Sequence, residues 1–167
     1  MRARKGVIPG NDSCEADDTD RLADPVKARK KAMDCLARRE YGRAELVNRL
    51  VDGGFDPDAA RAAVERLAAE GLQDDRRFAT SLIRSRIRQG KGPVRIRLDL
   101  TRRGIDPALV ESALAESGED WEKLARRVRQ RKFGAGDPGD FREKARQMRF
   151  LQYRGFEADQ IAAAMDL

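Results

Sequence analysis

GFDPDAARAAV, residues 54–64, returns as GIDPALVESAL at 104–114 and, more loosely, as GFEADQIAAAM at 155–165. Each copy carries a glycine, an apolar residue, a helix-capping acid and then apolar positions three and four apart. Gly54 suits the left-handed position just past a helix end, with Phe55 after it and Leu50 before it as the apolar pair that closes such an end. Leu100, Gly104 and Ile105 repeat the arrangement, as do Leu151, Gly155 and Phe156. Asp56 and Asp106 stand at N-cap positions with Pro57 and Pro107 behind them, where a missing N–H costs nothing. The third copy has Glu157 and Ala158 and so loses the proline.

Behind each cap the apolar residues form one stripe: Ala60, Ala63, Val64; Val110, Ala113, Leu114; Ile161, Ala164, Met165. In front of each glycine lies a short helix, and before that a longer one starting at Pro25, Asp75 or Trp121. The spacing predicts an all-α, elongated tandem array of three three-helix, helix-turn-helix-like repeats. They occupy residues 25–74, 75–118 and 119–167 and follow a flexible tail, 1–24, with no unit burying its apolar face well alone. Gly42 takes the N-cap position of the first short helix, with Glu45 placed to reach back as a capping box. In the third unit Asp137-Pro138 signals an earlier, longer middle helix. Gln147 there replaces the apolar Leu46 and Ile96, with Met148 expected to take over the packing.

Composition narrows the function. The 167 residues hold no histidine and only two cysteines, Cys14 and Cys35, which read as separate reduced thiols. Histidine acid–base chemistry, Cys-His nucleophiles and the usual zinc sets are excluded. No P-loop, GxGxxG or GxSxG occurs, so no cofactor, metal or catalytic residue is expected. Asp74 and Asp75 read as helix caps and dipole partners rather than metal ligands. No apolar run approaches a bilayer span and no signal peptide is visible, so a cytoplasmic monomer is expected. Charged residues make up 38% of the chain. The tail holds 4 basic and 6 acidic side chains, so the body carries +8 against +6 for the whole.

From Arg84 to Arg103 stand eight basic side chains and one acid, Asp99: Arg84, Arg86, Arg88, Lys91, Arg95, Arg97, Arg102 and Arg103. A second run places Arg126, Arg127, Arg129, Arg131 and Lys132 around Leu124 and Val128. Like charges repel unless a partner uses them, so both runs are candidate partner-binding surfaces, with two basic faces of the middle unit meeting on one side. Aromatic residues, 5% of the chain and several of them needed for the core, offer single-stranded nucleic acid little to stack on.

LARREYGRAELVNRLVDGGF, LAAEGLQDDRRFATSLIRSRIRQGKGPVRIRLDLTRRGID and RFLQYRGFEADQIAAAM resemble the bacterial RecX regulatory family from about Ala32 to the end. The most specific portions are GLQDDRRFA and GKGPVRIRLDLTRRGI. Before RAEL the family usually has a hydroxyl cap, where Gly42 stands here. The resemblance implies a non-enzymatic repeat protein that binds the RecA filament on single-stranded DNA. It also implies modulation, usually inhibition, of RecA's ATPase, strand-exchange and co-protease activities, with single-stranded DNA as a secondary contact. Two alternatives stay open: a DNA-binding protein with helix-turn-helix-like readers, and a helical scaffold for another acidic partner. Against a sequence reader, the starts DPDAAR and DPALVE are acidic and poor in base-contacting donors.

Overall fold

The computed structural model describes residues 23–166; most of the expected tail, Cys14 and Leu167 fall outside them. Among the described residues there are nine helices and no strand. In chain order they are α1 Pro25–Leu36, α2 Arg43–Asp52, α3 Pro57–Ala69, α4 Asp75–Arg88, α5 Pro93–Arg102, α6 Pro107–Glu116, α7 Trp121–Phe133, α8 Phe141–Arg154 and α9 Ala158–Ala164. The helices pack together in threes: α1 to α3, α4 to α6 and α7 to α9.

The repeated glycine ends are built as the sequence predicts. Phe55 N donates to Leu50 O at 3.1 Å and Gly54 N to Val51 O at 2.9 Å, with Gly54 at φ 96°. The same pair of bonds recurs at Gly104 and Gly155, so three helix ends share one hydrogen-bonded turn. Asp56 and Asp106 each accept two backbone N–H bonds, and Glu157 forms a capping box with Gln160. All nine residues of the three stripes are buried.

Each unit contributes a core cluster of its own. Leu46, Leu50, Ala60, Val64 and Leu67 fill the first; Phe78, Ile83, Ile96, Leu100, Ile105 and Val110 the second; Leu124, Val128, Leu151, Phe156 and Ile161 the third. Three helices per unit suffice because every stripe finds two partners, and the small side chains let the axes approach. Ile87 and Trp121 pack against both the second and third cores, so only that junction has a shared apolar seam.

The junctions repeat as faithfully as the units. The start of α2 presses on the end of α5: a Cβ on Gly42 would lie 3.1 Å from Ile105 Cδ1 and 3.2 Å from a Phe78 ring carbon. The start of α5 presses on the end of α8 more tightly, and there backbone meets backbone. Gly92 N donates to Arg154 O at 2.9 Å and Val94 N to Gly155 O at 3.0 Å. This explains the bare N-cap at Gly92, where any side chain would collide with backbone of the next unit; at Gly42 the neighbours are side-chain atoms that need give only a few tenths of an ångström. Glu45 does not complete the expected capping box. Instead Asp75 of the second unit accepts the orphan Arg43 N–H at 2.7 Å, while Asp74 caps its own helix.

The third unit corrects two further expectations. Its middle helix is indeed longer, beginning 14 residues before Gly155 where α2 and α5 begin 11 before their glycines, but Asp140 is the cap and Asp137-Pro138 stays in the loop. Where α2 and α5 have bare glycine caps, α8 has a carboxylate cap, Asp140 accepting from Glu143 N at 2.8 Å. Met148 does not replace the missing core residue and is exposed. Gln147 itself is buried, its Oε1 accepting from the buried Arg129 at 3.5 Å and its Nε2 donating to Glu143 at 3.0 Å.

Candidate functional site

The helix faces left over after core and junction packing carry most of the arginines, and the structure sorts them by whether a carboxylate reaches them. Arg97 holds Glu111 through two bonds, 2.6 and 3.2 Å, and reaches Glu157 of the third unit at 3.4 Å. Those carboxylates hold the Arg97 pKa above its ordinary value against burial, and Arg97 in turn holds Glu111 below the usual carboxylate range. Arg103 reaches back to Glu45 of the first unit at 2.7 Å. Both arginines therefore tie units together. Arg126 caps the end of α9 through Ala163 O at 2.8 Å and reaches Asp166 at 3.3 Å, and Arg127 reaches Glu119 at 3.5 Å.

Arg129 leaves the predicted surface altogether. It points inward between α7 and α8, 2% exposed, with Nε unpartnered. The i, i+4 spacing that placed Val128 inside also turns its neighbour toward α8, where Gln147 in place of an apolar residue leaves room for a guanidinium.

Arg84, Arg88, Lys91, Arg102, Arg131 and Lys132 have no carboxylate within ion-pair distance among the described residues. They do not form one face. Arg84 and Arg88 project from α4 into a groove of about 580 Å³ bordered by Arg76, Arg77, Thr80 and Glu40. Arg102 and Arg103 line a different groove, about 510 Å³, between the first two units with Arg39, Tyr41 and Arg49. In that groove the Arg39 guanidinium lies 3.6 Å over the Tyr41 ring and also meets Glu45 at 3.0 Å. Burial works against the Arg39 charge, but Glu45 and Tyr41 outweigh it and hold its pKa above the ordinary value.

The third gathering lies where α4 turns into α5. Lys91 N closes the end of α4 on Arg86 O at 3.0 Å, and the Arg154 side chain of the next unit donates to Gln89 O at 2.9 Å. Arg86 and Arg95 share the one acid present, Asp99, at 2.7 and 3.4 Å. Lys91 is half-buried among these guanidinia. Burial, then repulsion by Arg154, Arg95 and Arg86, pushes its ammonium below the ordinary lysine value.

Sequence reasoning missed Arg39, Tyr41, Arg49 and Arg154, and it missed two aromatics. Phe141 is 86% and Tyr153 77% exposed on α8, beside Arg142 and Arg149, so the aromatic supply is larger than core packing was expected to leave. Arg154 had a visible signal, since it precedes Gly155 as Arg103 precedes Gly104. The Arg39–Tyr41 stack had none. Among the described residues no helix is long and apolar enough to cross a membrane and no three potential ligands gather for a metal.

Fold and surface together define a tandem array of helix-turn-helix-like units with a strongly basic surface. Three family models match it in order: the first RecX three-helix domain over residues 28–67, the second over 74–114 and the third over 119–165. The chain belongs to the RecX family of regulatory proteins. It is 48% identical over 140 residues to the regulatory protein RecX of Pseudomonas savastanoi pv. phaseolicola, covering 84% of this chain and 90% of that one. It is 48% identical over 136 residues to that of Halorhodospira halophila, covering 81% and 84%. A crystal structure of regulatory protein RecX superposes with a TM-score of 0.73 at 21% identity, over 98% of this chain and 83% of the other. RecX from Lactobacillus salivarius gives 0.66 at 23%, over 90% and 96%. At those identities the superpositions speak for the fold.

Proposed function

We propose that this chain is a non-enzymatic modulator of the RecA recombinase, mainly an inhibitor, acting as a cytoplasmic monomer on the RecA filament assembled on single-stranded DNA. Binding there lowers RecA's ATPase, strand-exchange and co-protease activities, with RecA as the primary contact and DNA as the secondary one. One observation carries the reading: all three RecX three-helix domains are present, in order, in one continuous array. Of the two basic runs, Arg84, Arg88, Lys91, Arg102, Arg131 and Lys132 are left without a carboxylate among the described residues and are spread over the second and third units, which suits an extended partner. An array of units with their own cores and narrow junctions presents such a surface without needing a pocket.

A second reading, a DNA competitor acting through phosphates, gains from the exposure of Phe141 and Tyr153 beside Arg142 and Arg149. A base reader is disfavoured because the α3 and α6 starts spend their acids as caps, Asp56 and Asp106. Titrating the protein into single-strand-dependent RecA ATP hydrolysis at low and moderate salt separates the readings. Inhibition well below one molecule per RecA, persisting at moderate salt, supports filament binding. Inhibition that needs enough protein to coat the DNA and vanishes with salt refutes it in favour of phosphate competition.

A further inference from the structure

The two junctions use the same backbone construction with opposite charge at one place. Nine residues before the turn glycine of the first unit stands Glu45, and directly before that of the second stands Arg103; the two meet at 2.7 Å, with Arg39 on the same carboxylate oxygen at 3.0 Å. One unit along, the corresponding residues are Arg95 and Arg154. An arginine stands where the first junction has its bridging carboxylate. Arg95 turns back to Asp99 at 3.4 Å, already held by Arg86 at 2.7 Å, and Arg154 is left with Gln89 O and the face of Phe150. Lys91 joins them from the end of α4. Glu157, two residues past Gly155, serves Arg97 and the cap of α9. Four cations thus gather around one carboxylate, 15% exposed, which only Arg86 and Arg95 reach.

We propose that the junction between the second and third units is an oxyanion site that takes a backbone phosphate of single-stranded nucleic acid, held by Arg86, Lys91, Arg95 and Arg154. The bound phosphate does at this junction what Glu45 does at the first, bridging cations of two units. A chain of phosphodiesters suits the site better than a protein carboxylate for two reasons. The surplus is three charges, which successive phosphates supply and one carboxylate does not. Tyr153, next to Arg154 and 77% exposed, offers a ring on which an adjoining base can stack. Desolvation and crowding of the Lys91 ammonium agree with this, since an arriving anion relieves the repulsion.

The assignment rests on the proposed function in treating DNA as part of the target, and its test is run without RecA. Labelled oligothymidylate is titrated with the parent, Lys91→Met and Arg95→Glu at several salt concentrations, with thermal melts alongside. Arg95→Glu places a carboxylate where the first junction has Glu45, although Asp99 stands where that junction has Arg49. It is expected to raise Tm by about 2 °C as Arg154 gains an internal partner, while affinity falls about tenfold. The salt slope should drop by about 0.7 for each phosphate no longer neutralised. Lys91→Met is expected to weaken binding without lowering Tm. Unchanged affinity and slope in both variants would overturn the site. So would intact oligothymidylate binding by Arg95→Glu coupled to failure to associate with the RecA filament, which would assign the cations to a protein acid. If the parent fails to inhibit RecA yet the variants behave as expected on oligothymidylate, the functional reading falls and the phosphate site stands.

Discussion

Replacing Gly92 with alanine is expected to separate the second and third units. Gly92 has φ −82° and ψ 170°, a conformation alanine adopts freely, so the effect comes from space alone. The added Cβ would sit 2.5 Å from Phe156 N and closer still to the Gly155 carbonyl, all of it backbone that no rotamer change can move. Restoring an ordinary contact of at least 3.4 Å requires a shift of about 1 Å between units. That stretches the bonds from Gly92 N to Arg154 O and from Val94 N to Gly155 O, now 2.9 and 3.0 Å, beyond useful length.

Two backbone bonds between units at about 1 kcal/mol each, with part of the desolvation cost of donors left unpaired, give a loss of about 3 kcal/mol. For a chain of this size that is roughly 6–12 °C in Tm. Trp121, the lone tryptophan, packs against both adjoining cores and reports the junction by its emission, while circular dichroism follows the helices. Gly139→Ala is the control, because its Cβ would meet nothing within 4 Å. If Gly92→Ala melts within about 0.5 kcal/mol of the parent with unchanged Trp121 emission, the close approach of backbone at this junction is wrong.

At the first junction Glu45→Gln removes the anion between Arg39 and Arg103, whose carboxylate is 20% exposed; a loss of about 2 kcal/mol is expected in urea unfolding. Arg129→Met replaces a buried guanidinium that has no carboxylate partner with a flexible apolar chain of similar length, so stability should be unchanged or higher by about 1 kcal/mol, read by the same method. Arg97 holds Glu111, and Arg76 holds Glu116, below the ordinary value of 4.5. The unfolded chain therefore takes up protons first as pH falls below about 5, and the stability these pairs contribute is present above 4.5 and lost progressively below it. Melts from pH 6 to pH 3 should show that fall, shallower in Arg97→Gln and in high salt because the pairs are exposed.

Local chemistry makes the units legible in the sequence. A left-handed glycine flanked by apolar residues three times over, and an acid at each following helix start, specify both ends of a turn from a dozen neighbouring residues. What neighbouring residues cannot show is who sits across a junction. Glu45 has the position of a capping-box residue, yet two arginines, of which one lies 58 residues away, claim its carboxylate. Gln147 reads as a defect in the stripe because its partner, Arg129, counts with the surface on composition alone. The basic runs are legible as runs and misleading as a face: charge density follows from sequence, whereas the division into three gatherings follows from which carboxylates lie within reach.

The two joints of the array are fastened by different means. The first is closed mainly by charge, Glu45 with Arg103 and Asp75 with the Arg43 amide, while the second adds main-chain bonds and an apolar seam at Ile87 and Trp121 to its one ion pair, Arg97 with Glu157. Ions in solution weaken the first fastening more than the second, whose main-chain bonds and apolar seam they do not screen. The joint between the first two units should therefore be the one that bends more readily as salt rises, and small-angle scattering at two ionic strengths tests this.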